Sequence, residues 1–259
     1  MLKAFFSSAT GMRAQELLID NTANNLANVN TTGFKAKKMN FADLIYDTVS
    51  RPGATAGNGQ IRPIGLEIGS GVRAVGTTSI YSQGTPTETE IATHMAIEGD
   101  GFFRITRNGQ IAYTRDGTFT RNDQGLLVNG DGYQLDPAIT IPQLASNISI
   151  SQNGQVSYLV DGTATNGGQI QLARFANPEG LQNIGNNLYL LTEASGGELA
   201  GNPGDDGLGT LRQGYIEGSN VEVVAELVSL ITAQRAYEIN SRAIRAGDEM
   251  LSTASELVR

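Results

Sequence analysis

The chain has 259 residues, no cysteine, no tryptophan and one histidine, His94. Without cysteine there is no disulfide framework, no thiol nucleophile and no thiolate metal site. A lone histidine anchors neither a typical zinc site nor a serine triad, so His94 reads as a solvated or half-packed side chain. No run of about 18 apolar residues exists, which excludes a membrane-spanning helix. The start does not read as a secretory signal: Ala4-Phe5-Phe6 is a short apolar stretch, and the charges of Arg13 and Glu16 break any longer apolar region. Export, if it occurs, is expected to proceed without a cleaved signal peptide. Positive charge is scarce too. Eighteen Lys and Arg against 26 Asp and Glu leave a net charge of −8, which argues against a duplex nucleic-acid partner.

The usual catalytic and cofactor patterns are missing as well. Gly99-Asp100-Gly101-Phe102-Phe103 is glycine-rich, but it lacks the strand–GxGxxG–helix setting of a nucleotide site and reads as a turn. Asp116-Gly117 and Asn129-Gly130-Asp131-Gly132 lack the ligand spacing and closing Glu of a calcium loop. Carboxylates there suit turn chemistry. The sequence therefore predicts no catalytic, cofactor or metal site.

What is present is a long apolar seam. Val223, Leu230, Tyr237, Ile244, Leu251 and Val258 recur every seven residues, the spacing of a coiled coil. Three further on come Glu226, Ala233, Asn240, Gly247 and Ala254, mostly small, so a partner helix can approach. Ser219-Asn220-Val221-Glu222 has capping-box spacing, and the helix is expected from about Val221 to Val258. Near the N-terminus Phe5, Met12, Ile19 and Leu26 fall every seven, with Ala9 and Ala23 at the companion position and Gly33 as the expected C-cap. Residues 1–38 carry five Lys/Arg against two acidic residues (net +3); the last forty carry four Arg against six (net −2). Opposite signs favour pairing of the two helices modestly. Asn21, Asn25 and Asn28 share one face of the first helix. They fit either a solvated, fraying end or a row of amides bonding neighbouring backbones in an assembly.

Between the helices the composition changes. Lys35, Lys37 and Lys38 read as a basic patch, 40–50 as a short helix carrying Phe41, Leu44 and Ile45, and 51–62 as a loose loop. Strands are expected over 66–81. From Met95 onward, Asp-Gly and Asn-Gly pairs at 100, 108, 116, 129, 131, 153 and 161 separate short β-rich runs, a hairpin pattern. The expected fold class is α+β: long N- and C-terminal helices paired as an antiparallel coiled coil, with a central antiparallel β sandwich or barrel. The expected domains are 1–33 with 219–259 for the helices, 34–94 with 196–218 as linker and special segment, and 95–195 as the β domain. Two surface helices packed on one compact core remain the alternative.

Five motifs carry a resemblance. Asn24-Asn25-Leu26-Ala27-Asn28-Val29-Asn30-Thr31-Thr32-Gly33-Phe34-Lys35, Gly101-Phe102-Phe103, Tyr113-Thr114-Arg115-Asp116-Gly117, Gly214-Tyr215-Ile216-Glu217-Gly218-Ser219-Asn220-Val221 and Gln234-Arg235-Ala236-Tyr237-Glu238-Ile239-Asn240-Ser241 resemble the bacterial flagellar rod and hook family. The segment Tyr46–Leu66, with Arg51, Pro52 and Arg62, is similar to that of the distal-rod members. The resemblance implies a structural, non-enzymatic subunit. Copies would polymerise into a rigid hollow drive shaft that transmits torque from motor to hook and lets export substrates pass. It implies terminal helices as an inner tube, the β domain as an outer one, and Tyr46–Leu66 as the element that distinguishes rod from hook. Implied partners are further copies, proximal rod proteins, the hook protein, periplasmic and outer-membrane ring proteins, and the flagellar type III export apparatus. The implied location is the periplasm-spanning basal body. A proximal rod or hook sibling, or a β-domain cell-wall-binding module, are the competing readings.

Overall fold

The structure, a computed structural model, describes residues 2–53 and 64–257. Arg62, Val258 and most of the loop expected over 51–62 lie outside the described residues. The chain divides into two compact units, one of residues 1–26, 37–78 and 222–259, the other of residues 27–36 and 79–221.

The first unit holds two helices, α1 (Leu2–Ala27) and α2 (Val223–Leu257). At 1.5 Å per residue, α2 is about 52 Å long. It starts two residues later than the capping-box spacing implied. The Ser219 hydroxyl accepts from Val221 N–H at 3.3 Å, and the Glu222 carbonyl accepts the first helical bond, from Glu226 N–H at 3.0 Å. α1 ends earlier than expected, six residues before Gly33, in a turn where Thr31 N–H donates to the Asn28 carbonyl at 3.1 Å. Asn is a poor helix former that competes for its own backbone, and the run of asparagines unwinds the helix before the glycine is reached.

The expected short helix over 40–50 is absent. Lys37–Asp43 pairs with Val72–Ser79, and Tyr46–Ser50 forms an antiparallel ladder with Leu66–Gly69, placing Tyr46 opposite Gly69. Tyr46, Thr48 and Val49 favour strands, and the Phe41–Leu44–Ile45 spacing fits a helix face only by coincidence.

The second unit is β-rich. Its largest sheet has nine strands, with Phe102–Arg107 central, flanked by Gln110–Thr114 and Gln134–Leu135 and also paired with Leu172–Arg174. Ser146–Ile150, Gln155–Val160 and Thr163–Gln169 form a second antiparallel sheet. Two turn pairs close tight hairpins as expected: Asn108-Gly109 (φ 50° and 80°) and Asp161-Gly162 (φ 51° and 80°), the positive-φ pairs a primed turn requires. Asp116 instead accepts Thr118 N–H and its hydroxyl at 3.0 and 2.8 Å, a local loop rather than a hairpin. Phe103, Ile105, Phe119, Leu127, Leu135, Ile141, Val156 and Leu172 form the core, none measurably exposed. Met95–Glu98 pairs with Thr210–Gln213, so the unit takes in segments that sequence spacing had assigned to a linker.

Candidate assembly surfaces

α1 and α2 touch in opposite order along their lengths. A side chain built on Gly247 would lie 2.7 Å from the Phe5 ring, one on Gly11 3.1 Å from the Asn240 amide, and Asn25 Nδ2 donates to Glu226 Oε1 at 2.9 Å. Small residues set this approach: Ala233 is 1 % exposed and Gly247 is buried. The large seam residues sit to the side. Phe5, Met12, Ile19, Leu26, Leu230 and Ile244 are half-buried, whereas Val223, Tyr237 and Leu251 are exposed, as are Ala9 and Ala23.

The asparagine row has partners within the chain. Asn21 Nδ2 donates to the Lys37 carbonyl at 2.6 Å. Asn25, 1 % exposed, donates to the same carbonyl and accepts from Lys37 N–H, each at 2.9 Å. The Asn28 side-chain oxygen accepts from the Thr31 hydroxyl at 3.2 Å. Asn21 and Asn25 fasten the strand that comes after the turn back onto the end of α1, and the Asn28 bond lies within the turn itself.

Tyr46, Arg51, Pro52 and Leu66 are exposed, and so are Ile45, Val49, Ile64 and Ile68 beside them. The hairpin Tyr46–Ser50/Leu66–Gly69 thus presents aliphatic side chains to solvent. Lys3 forms an ion pair with Asp47.

In the second unit, sequence reading missed a buried charge cluster. Lys35, assigned to a basic patch, is 1 % exposed. Its Nζ donates to Glu217 Oε1 at 2.6 Å and to the Ser82 carbonyl at 2.8 Å. Gly84 N–H donates to the same Glu217 oxygen at 2.9 Å, and Arg115 Nη1 reaches Glu217 Oε2 at 3.3 Å. Arg115 Nη2 donates to the Gly99 carbonyl at 2.8 Å, and its guanidinium lies over the Phe102 ring. Burial pushes the Lys35 amine below its usual value, and the Glu217 carboxylate opposes that shift. Gly33 joins the same place: its N–H donates to the Glu217 carbonyl at 2.8 Å, and a Cβ there would lie 2.6 Å from Asp116 N. Three of the quoted motifs, those holding Lys35, Arg115 and Glu217, converge here. The remaining sequence signal was a charged residue inside each motif, with nothing local to say it was buried.

His94 is half-buried with Nδ1 3.0 Å from the Thr89 hydroxyl, and burial lowers its pKa. Asp136 and Glu198 share the Arg104 guanidinium at 2.9 and 3.5 Å. Among the described residues no cluster of three His, Cys, Asp or Glu is placed to hold a metal, and no helix is long and apolar enough to cross a membrane.

Three family profiles match in chain order. The flagella basal body rod protein profile covers residues 7–35, the flagellar hook protein FlgE/F/G D1 domain residues 96–158, and the flagellar basal body rod FlgEFG protein C-terminal profile residues 212–257. The flagellar basal-body rod protein FlgG of Borreliella burgdorferi is 46 % identical over 264 residues, with 100 % of each chain covered. That of Caulobacter vibrioides is 46 % identical with 99 % of each covered, and that of Bacillus subtilis 39 % with 100 % of each. The chain belongs to the flagellar basal-body rod protein family. It is a structural subunit of the distal rod, located in the basal body, and not an enzyme. A solved hook protein, FlgE2 of Helicobacter pylori, aligns with 70 % of this chain and 43 % of its own at 18 % identity and a TM-score of 0.25, too low a likeness to carry an argument.

Proposed function

We propose that copies of this chain polymerise into a rigid hollow drive shaft that carries torque from motor to hook and leaves an axial passage for export substrates. The terminal helices, paired as an antiparallel coiled coil, form its inner wall and the β-rich unit its outer layer. The proposed neighbours are proximal rod proteins, the hook protein and the ring proteins around a periplasm-spanning shaft. Delivery is by the flagellar type III apparatus.

The observation that carries this reading is the aliphatic surface of the Tyr46–Leu66 segment. Ile45, Val49, Leu66 and Ile68 are 84, 60, 56 and 42 % exposed. An isolated two-stranded hairpin is marginal in water, and an exposed apolar patch of this kind marks a docking surface. The reading is that this hairpin bridges adjacent subunits and stiffens the tube. Electron microscopy of concentrated purified protein tests the first step, with tubes expected and a persistent monomer refuting it. Deletion of 46–66 tests the second: bent or flexible filaments are expected, and an unchanged straight tube refutes the bridging role.

A further inference from the structure

The β-rich unit gathers several of its rings in one place. Phe102 meets Tyr81 and Phe175 edge to face, with centroids 5.5 and 5.7 Å apart. These three rings line a hollow of about 290 Å³ together with Asp100, Arg115 and Arg174. Its volume is at the small end of the range for ligand pockets, about 300–1,000 Å³, and leaves room for one amino-acid residue. Every lining residue belongs to the same unit.

The charges around the hollow are unmatched. Arg115 is 3 % exposed, and its Nε is buried with no hydrogen-bond partner among the described residues. Buried polar groups are nearly always bonded, so this donor calls for an acceptor. Arg115 also shares the Glu217 carboxylate with Lys35. One anion there serves two buried cations, which leaves an excess of positive charge while Lys35 is protonated. Arg174 is half-buried and donates to the Asp206 carbonyl at 3.3 Å. Neither Arg174 nor the exposed Asp100 makes an ion pair among the described residues, with each other or with any third group. A carboxylate in the hollow answers both guanidinium groups, and an N–H donor beside it answers Asp100. The rings supply an apolar wall.

We propose that this hollow binds an apolar amino acid by its free α-carboxylate, with the carboxylate on Arg115 and Arg174, the side chain against Tyr81, Phe102 and Phe175, and the α-nitrogen donating to Asp100. Guanidinium groups suit the planar carboxylate, and such charge-assisted bonds are the strong ones. The nitrogen is an ammonium in a free amino acid and an amide N–H in the last residue of a peptide, and both donate. The inference goes beyond the rod reading and does not rest on it, because binding is measured on unpolymerised protein.

The test is calorimetric titration of the full-length, monomeric protein. Leucine stands for the free amino acid and N-acetyl-leucine for the end of a peptide. Their amides lack the carboxylate, N-acetylglycine lacks the side chain, and isocaproate lacks the nitrogen. Saturable binding of one or both leucine probes is expected, and each of these removals should weaken it about tenfold or more. Binding of N-acetyl-leucine alone supports a peptide C-terminus as the ligand, and binding of leucine alone a free amino acid. Arg174→Gln should weaken the bound probe about tenfold and keep the wild-type circular dichroism spectrum. Asp100→Ala should lower the bound probe to the affinity of isocaproate, with isocaproate itself bound no more weakly than before. Absence of saturable binding by either leucine probe overturns the proposal. So does an amide that binds as tightly as its acid, or an Arg174→Gln protein that binds as tightly as wild type. Should Arg174→Gln misfold, the comparison of acid with amide needs no variant and decides alone. None of these outcomes bears on tube formation, so the rod reading stands or falls separately.

Discussion

Lys35 and Glu217 stand 182 positions apart in the chain and meet at 2.6 Å, each 1 % exposed. Arg115 joins from a third segment. A carboxylate between two cations is satisfied only while all three stay in place, since an unpaired charge in a dry site costs far more than the pair contributes. The cluster makes the β-rich unit's closure depend on two residues next to the chain's entry and exit points.

Glu217→Ala should therefore destabilise this unit by about 3–5 kcal/mol, because it leaves Lys35 and Arg115 buried without a counter-charge. Lys35→Met should cost less, since Arg115 still faces Glu217. Denaturant unfolding of both variants, followed through the tyrosines, ranks them. An equal or reversed order would show that Glu217 does not hold the cluster together.

Tyr81 gives an alkaline signature. Burial, more than any neighbouring charge, pushes its hydroxyl up to about 12 from 10.0. Between those values the unfolded chain loses the proton and the folded chain keeps it, so stability present below pH 10 is lost as pH rises toward 12. The loss attributable to this residue is on the order of 2 kcal/mol. Tyr81→Phe should lose less stability than wild type across the same window. Parallel curves for the two proteins would refute the assignment.

Gly247 sets the approach of the two helices. Gly247→Leu places side-chain atoms where the Phe5 ring already lies, 2.7 Å from the first carbon. Overpacking of this kind costs about 1–3 kcal/mol, more than the roughly 1 kcal/mol of helix propensity that replacing glycine gains. Thermal melts should show a lower midpoint for Gly247→Leu and partial recovery in Phe5→Ala/Gly247→Leu. A rise in the single variant would mean that the helices are not packed at this point.

Helix content should depend on assembly. Val223, Tyr237 and Leu251 are 39, 42 and 38 % exposed within one copy, and in the proposed polymer neighbouring copies cover that part of the seam. Circular dichroism of dilute monomer should show fewer helical residues than assembled protein, as for segments that order on binding. Equal content in both states would contradict this.

Much of the architecture was legible in the residues. Seven-residue repeats placed both helices, and Asn108-Gly109 and Asp161-Gly162 placed hairpins, because both signals are local: a helix face and a positive-φ turn are written in consecutive side chains. Residues 40–50 were misread for the same reason. Phe41, Leu44 and Ile45 have helical spacing, and the strand partners that decide otherwise, Val72–Ser79 and Leu66–Gly69, lie more than fifteen residues away.

By itself, then, the sequence determined the apolar repeats at both ends, the turn chemistry between them and the family motifs. Only the tertiary structure decided that Lys35 is an interior ion rather than a surface charge, that the small residues of α2 rather than its large ones set the helix approach, and that Val224, Leu227, Val228 and Ile231 stay exposed. Burial and charge pairing depend on what the distant chain brings alongside, and no local pattern encodes that.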